Sequence, residues 1–140
     1  MSAIGRALCI DFGTKRIGIA ATDYLGLAAR PVEVVVATPR DAAADRVAEI
    51  ARERETTRLV VGMPVNMDDT PHASEPDVRA FARRCAERTG LPVTFVDERL
   101  STVEAERLMK DAGLRRKDRR QVVDMYAAVV ILRDWMSCQG

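Results

Sequence analysis

The sequence has few cysteines, a single histidine and no long apolar run. Its three cysteines are widely spaced and form no CxxC pair, which argues against a disulfide framework and favours reduced thiols in the cytoplasm. One histidine cannot build a histidine-rich zinc site. The longest apolar run, Met125 to Leu132, is far shorter than the roughly 18 to 20 residues of a membrane span, and no secretory signal is recognised. Any bound metal should therefore be held by oxygen, which indicates Mg²⁺ or Mn²⁺.

The charged residues are balanced in number but uneven in type and position. There are 22 basic and 21 acidic residues, and the net charge of +1 does not by itself indicate a nucleic-acid-binding protein. However, 19 of the 22 basic residues are arginine, the side chain best suited to bidentate phosphate contacts. Seven basic residues lie between Arg107 and Arg120, against two acidic ones. This stretch is either a solvated connection between helices or a surface that binds a phosphate backbone.

The hydrophobic pattern predicts one α/β domain over residues 1–140. Hydrophobic residues make up 47% of the chain, enough for one core. The predicted strands are Ala7 to Asp11, Ile17 to Ala21, Val32 to Ala37 after Pro31, Leu59 to Val61 and Val93 to Val96. The predicted helices are Asp41 to Glu53, a helix with a hydroxyl cap at Ser74 that ends at Gly90, a helix from the Ser101 and Glu104 capping box to Gly113, and Asp118 to Trp135. Three antiparallel-type strands followed by βαβ units predict a mixed five-stranded sheet with helices on both faces.

Asp124 is the most informative single residue. It is the only charge between Val122 and Leu132, in a helix that is apolar on nearly every side and therefore predicted to be buried. A carboxylate in that position is costly to desolvate unless it is paired, protonated or bound to a cation. A salt bridge to Arg120, or a role near the start of the helix, is the structural alternative to a functional site.

Two further acidic positions follow predicted strands. Asp11 comes at the carboxyl end of the first strand, where α/β sheets bind ligands, although an Asx-turn in the hairpin would also explain it. Asp97 and Glu98 end a later strand, and because neighbouring strand residues point to opposite faces, only one of them should face Asp11. A carboxylate cluster of this kind requires divalent cations, and two such ions can promote phosphodiester hydrolysis.

Four sequence blocks resemble the YqgF family, also called RuvX. They come in the family's order and span almost the whole chain: Asp11 to Ala20, Val61 to Asp68, Asp97 to Thr102 with Glu104 and Ala105, and Val123 to Ala128 with Ile131 and Leu132. Members of this family are described as nucleases of pre-16S rRNA and were formerly described as Holliday junction resolvases. The resemblance implies an RNase H-like fold and an endonuclease that matures the 5′ end of small-subunit ribosomal RNA.

The resemblance also implies roles for individual residues. Asp11, Glu98 and Asp124 match the acidic site, which would bind Mg²⁺ or Mn²⁺. The residues expected to contact nucleic acid are Arg16, Asn66, Arg99, Arg115, Arg116 and Lys117. The expected partners are structured RNA, within the small-subunit precursor, or branched DNA, and the protein would be a monomer or homodimer without membrane contact. One departure is Asp69, where the family usually has Gly; Asp tolerates the positive φ that such a position requires better than most residues.

Three other functions are compatible with these residues. A Holliday junction resolvase would need a dimer to cut two strands symmetrically. A non-catalytic RNA- or ribosome-binding module could keep the same fold. An ATP-binding protein of the actin and sugar-kinase superfamily has a similar first phosphate loop, but such proteins normally need two domains to enclose the nucleotide.

Overall fold

The computed structural model describes residues 5–98 and 101–139. The elements, in chain order, are β1 (Ala7–Phe12), β2 (Arg16–Thr22), β3 (Ala29–Val36), α1 (Arg40–Glu53), β4 (Arg58–Met63), α2 (Glu75–Thr89), β5 (Val93–Asp97), α3 (Ser101–Asp111) and α4 (Arg116–Ser137). Every predicted element is present, and the order along the chain is the predicted one. Among the described residues, no helix combines the length and the apolar character needed to span a bilayer.

The five strands form one mixed sheet in the order β3-β2-β1-β4-β5. β2 pairs antiparallel with β1 on one side and with β3 on the other. β4 pairs parallel with β1, and β5 pairs parallel with β4. The carboxyl ends of β1, β4 and β5 therefore lie at the same edge of the sheet. The predicted mixed five-stranded sheet is confirmed, and Asp11 and Glu98 lie at this shared edge.

The third strand begins earlier than predicted, at Ala29, and contains Pro31 within it. Proline is tolerated there because β3 is an edge strand, so the missing N–H removes no bond to a further strand. The register with β2 shifts between Ile19, which faces Glu33, and Ala20, which faces Pro31. Val32 is the extra residue of this bulge. The predicted start of the strand after Pro31 was wrong for this reason.

The strands bury both faces, and alternate residues contribute to two separate cores. Leu8, Ile10 and Ile19 pack with α1 and α2 on one face. Cys9 and Val60 pack on the opposite face. Their core there is completed by Ala7, Ala20 and Ala29 and by Ala128, Val129, Ile131, Leu132 and Trp135 of α4. The prediction of helices on both faces is confirmed, and α4 occupies the face to which Asp11 must point, because Cys9 and Asp11 are two residues apart on a strand.

Two helix ends follow the predicted glycines. Gly90 ends α2 with a left-handed φ of 71°, and its N–H donates to the carbonyl of Ala86 at 2.8 Å. Gly113 follows α3 with φ 78°, and its N–H donates to the carbonyl of Lys110 at 2.9 Å. Both glycines adopt a conformation that other residues avoid.

Two predicted helix starts differ from the structure. Ser74 is the residue before α2, but its hydroxyl makes no capping bond. Instead, Ser74 Oγ lies 2.8 Å from Nδ1 of His72, so the predicted hydroxyl cap was wrong. α4 begins at Arg116, before the predicted Asp118, and extends to Ser137. The side chain of Ser101 lies outside the described ones, so its part in the predicted capping box stays a prediction.

Candidate active site

Glu98 reaches Asp11 because the neighbouring strand carries a glycine. Its N–H donates to the carbonyl of Met63 at 3.2 Å, which places Glu98 just beyond the paired end of β5. A Cβ on Gly62 would lie 2.9 Å from Oε2 of Glu98 and 2.7 Å from Cδ1 of Ile131. Gly62 therefore leaves the space that the Glu98 side chain occupies. The sequence reasoning missed this residue, although a glycine inside a strand signals a close approach.

Asp11 and Glu98 form a coupled pair of carboxyl groups. Burial raises the pKa of Asp11 well above its ordinary value, and a side-chain hydrogen bond with Glu98 and the negative charges of Glu98 and Asp124 raise it further. A hydrogen bond between two carboxyl groups requires a proton on one of them. Burial raises the pKa of the Cys9 thiol, and the negative charges of Asp11 and Glu98 raise it further. The crevice therefore favours a bound proton or another cation.

Asp97 directly precedes Glu98 in the chain. It is the last residue of β5, opposite Met63 in the register, and is exposed. The sequence left open which of the two adjacent acids faces Asp11, and the structure brings Glu98 there.

Asp124 is positioned by direct contact between the helix and strand backbones. A Cβ on Gly18 would lie 1.9 Å from the carbonyl oxygen of Asp124 and 2.7 Å from the backbone nitrogen of Met125. Only glycine allows this approach. Gly18 is the register partner of Asp11, so the turn of α4 that carries Asp124 lies over the strand next to Asp11.

Arg16 is the ion-pair partner of Asp124. Its Nε donates to Oδ2 of Asp124 at 2.8 Å, and about half of the arginine side chain (51%) remains exposed, against 25% of the aspartate. A salt bridge of Asp124 is thus present, with Arg16 of β2; the side chain of Arg120, the partner considered from the sequence, lies outside the described ones. The three acids are consequently divided into the pair Asp11–Glu98 and the ion pair Arg16–Asp124. Within residues 5–98 and 101–139, no three acidic, histidine or cysteine side chains are spaced to hold a single ion.

The predicted basic surface lies around the start of α4. Arg115 is the residue before the helix, and Arg116 and Lys117 are its first two residues. All three side chains are exposed. The eighth residue after Arg116 is Asp124, which places the basic residues about two helical turns from the acidic site along α4. Arg99 lies outside the described residues.

A family model described as "RuvX: Holliday junction resolvase" matches residues 5–138. The chain belongs to the RuvX family. It is 42% identical over 134 residues to a Lachnospira eligens protein named "Putative pre-16S rRNA nuclease", covering 94% of this chain and 96% of the relative. The resemblance predicted from the four sequence blocks is confirmed.

Two solved structures share the RuvX fold at low sequence identity. T. thermophilus RuvC in complex with a Holliday junction substrate superposes with a TM-score of 0.60 at 18% identity, covering 97% of this chain and 96% of RuvC. The fowlpox virus Holliday junction resolvase gives a TM-score of 0.61 at 9% identity, covering 95% of this chain and 99% of the resolvase. The predicted fold class is confirmed by these similarities.

The loop after β4 contains Asp69, where the resemblance predicted from the sequence implies glycine. Asp69 has a φ of 70°, the left-handed conformation expected if glycine is usual there, and its N–H donates to the carbonyl of Asn66 at 2.9 Å. The Asn66 side chain braces this loop, since its Nδ2 donates to Oγ1 of Thr70 at 2.9 Å and to the carbonyl of Pro71 at 3.1 Å. These contacts assign the amide nitrogen of Asn66 to the loop itself, and its predicted contact with nucleic acid stays a prediction.

Proposed function

We propose that this RuvX-family protein is a metal-dependent endonuclease that hydrolyses phosphodiester bonds in structured RNA, at the 5′ end of pre-16S rRNA. The observation that carries the proposal is that Asp11 is close enough to Glu98 and Asp124 for both acids to raise its pKa, while Gly62 and Gly18 leave room for Glu98 and for the turn of α4 that carries Asp124. The name of the similar Lachnospira eligens protein supports the choice of substrate.

The side chains around the crevice fit a hard divalent cation. Asp11, Glu98 and Asp124 offer only oxygen ligands, which suits Mg²⁺ or Mn²⁺. Cys9 is unsuited as a ligand because its raised pKa keeps the thiol protonated. When bound, the ions would supply the positive charge that activates a water molecule and stabilises the leaving oxygen. For all three acids to serve one site, Asp124 must direct an oxygen toward the cation, and repulsion between the cation and the Arg16 guanidinium favours loss of the contact with Arg16.

The remaining residues would position the nucleic acid. Once released from Asp124, the Arg16 guanidinium lies beside the carboxylates and can bind a phosphate of the strand being cut. Arg115, Arg116 and Lys117 would hold the backbone on the approach to α4. In this arrangement the acids need to be ionised together, so cation binding should favour the ionised form of Asp11, whose pKa is raised in the folded protein.

A second candidate function is the resolution of Holliday junctions. The description of the RuvX family model favours it. A resolvase would act as a homodimer, because two strands have to be cut symmetrically. Branched DNA is therefore the appropriate competing substrate in any test of the RNA proposal.

The test compares the wild-type protein with Asp11→Asn on an RNA that carries the 5′ extension of 16S rRNA, with Mn²⁺ or with a chelator. A four-way DNA junction is the parallel substrate, and Asp134→Asn, an exposed acid further along α4, is the matched control. We expect cleavage of the RNA by the wild type and by the Asp134 variant with Mn²⁺, and about a hundredfold or larger loss in Asp11→Asn. Equal cleavage by the Asp11 variant, or cleavage that persists in chelator, would overturn the proposal. Cleavage of the junction alone would favour the second candidate.

A further inference from the structure

An open cleft of about 570 Å³ lies between α3 and α4. Its lining is Glu106, Met109, Lys110, Arg116, Arg119 and Val123. On α3 these residues are spaced i, i+3, i+4, and on α4 they are spaced i, i+3, i+7, so one face of each helix borders the cleft. Its volume is in the range of sites that bind small organic ligands.

The rim of the cleft is positively charged. Lys110 and Arg116 are exposed, and within the part of the chain that the structure describes neither forms a salt bridge. Nε of Arg119 donates to the carbonyl of Leu114 at 3.0 Å, which fixes the direction of a guanidinium that has four further N–H donors. Glu106 is the one acidic side chain of the lining. Three cations against one carboxylate favour an anionic ligand.

The rest of the lining is apolar. Met109 is buried, with 1% of its surface exposed, and Val123 is half-buried against the core shared by α3 and α4. A ligand that fills this cleft should combine an anionic group for the rim with an apolar face for Met109 and Val123. A nucleotide has both, as a phosphate and as a base. Val123 directly precedes Asp124, so the cleft begins next to the acidic site along α4.

We propose that this cleft binds one unstacked nucleotide of a single-stranded segment of the RNA substrate. Its phosphate lies against Lys110, Arg116 and Arg119, and its base against Met109 and Val123. The inference rests on the proposed function. It places the RNA strand that reaches the acidic site across the surface formed by α3 and α4.

The test measures the binding of a fluorescent oligouridine RNA of about eight nucleotides, a length within the usual range of single-strand sites. Chelator is present throughout, so that binding is measured without cleavage. Lys110→Gln and Arg116→Gln remove exposed side chains and should leave the free energy of unfolding unchanged. Each should weaken binding about twofold to fivefold and lower the slope of log affinity against log salt by about 0.7.

Two further variants distinguish RNA binding in the cleft from a general effect of positive charge on RNA binding. Arg133→Gln makes the same substitution on the exposed side of α4, about 20–25 Å from the cleft arginines, and should bind RNA as the wild type does. Glu106→Gln removes the like charge that faces the phosphate and should tighten binding. Equal losses in the Arg133 and Arg116 variants, or no change in any cleft variant, would overturn the proposal. Equally tight binding of free uridine monophosphate would also overturn it, in favour of a free nucleotide.

The failure of this inference can be told apart from the failure of the proposed function. If the wild type cleaves RNA with Mn²⁺ but the cleft variants bind RNA normally, the cleft is not a subsite and the nuclease proposal stands. If the cleft variants lose affinity as expected while the wild type and Asp11→Asn are equally inactive, the cleft binds RNA and the nuclease proposal fails.

Discussion

Nε of Arg16 on β2 donates a hydrogen bond of 2.8 Å to Oδ2 of Asp124 on α4, although 108 residues separate them. This contact neutralises Asp124, whose negative charge acts on Asp11. The Arg16 guanidinium neutralises charge that would otherwise attract a divalent cation, and the two positive groups repel each other, so Arg16 competes with metal binding in this arrangement.

The first prediction concerns this competition. Arg16→Gln frees Asp124, so Mn²⁺ should raise the melting temperature of the variant at lower concentrations than it does for the wild type, by about twofold to tenfold. Thermal unfolding across a Mn²⁺ titration measures this without any need for activity. Arg30→Gln, an exposed arginine on the edge strand β3, is the matched control. The same Mn²⁺ dependence in both variants would contradict the competition.

The second prediction concerns stability and pH in the presence of a chelator. Folding raises the pKa of Asp11 above its ordinary value of 3.8. The free energy of unfolding of the wild type therefore falls as the pH rises from 3.8 through the raised pKa of Asp11. Asp11→Asn removes this loss. The variant should be more stable than the wild type at about pH 8, by ~0.5–2 kcal/mol, and should lose most of that advantage near pH 4. Urea unfolding at the two pH values checks it, and an advantage independent of pH would contradict the stated cause.

The third prediction concerns the approach of α4 to β2. Gly18→Ala places a Cβ within 1.9 Å of the Asp124 carbonyl oxygen, so the helix must move away. We expect a loss of about 3 kcal/mol in the free energy of unfolding, together with weaker Mn²⁺ binding. Gly113→Ala is the control, because its Cβ meets nothing within 4 Å and only the positive φ is penalised, by about 1 kcal/mol. An equal loss of unfolding free energy in Gly18→Ala and Gly113→Ala would contradict the close approach of α4 to β2.

The fourth prediction concerns the three cysteines. Burial raises the pKa of Cys85 to about 12 and that of Cys9 well above its ordinary value, whereas Cys138 is exposed. A thiol-reactive reagent near neutral pH should therefore modify one cysteine rapidly in the folded protein and all three after denaturation. Cys138→Ser should abolish the rapid reaction. Rapid modification of Cys9 in that variant would mean that the crevice opens readily.

The acidic residues could be predicted because each interrupts or ends an apolar segment, where an unneeded charge is costly. Asp11 and Asp124 carry that signal in the sequence itself, and the alternation of side chains along a strand limited the third acid to Asp97 or Glu98. The choice between those two required the structure, since it depends on the space above Gly62.

Two features of the site depend on contacts between distant segments and have no local signal, and one helix start differs for a local reason. Arg16 of β2 pairs with Asp124 from 108 positions away in the sequence, a contact that no local pattern indicates. Gly18 looks like an ordinary strand residue until α4 is packed on it. Ser74 has the composition of a helix cap, yet its hydroxyl pairs with His72 in the preceding loop. The first two features depend on tertiary contacts, whereas the contact between Ser74 and His72 is local and takes the place of the helix cap.

The central claim is that Asp11, Glu98 and Asp124 act together as ligands of divalent ions. Calorimetric titration of the full chain with Mn²⁺, for the wild type and for Asp11→Asn, Glu98→Gln and Asp124→Asn, tests it most directly. The account predicts that each single substitution weakens Mn²⁺ binding about tenfold or more, while Asp134→Asn leaves it unchanged. Wild-type affinity in any one of the three acid variants would contradict the claim for that residue, and wild-type affinity in all three would place the metal site elsewhere.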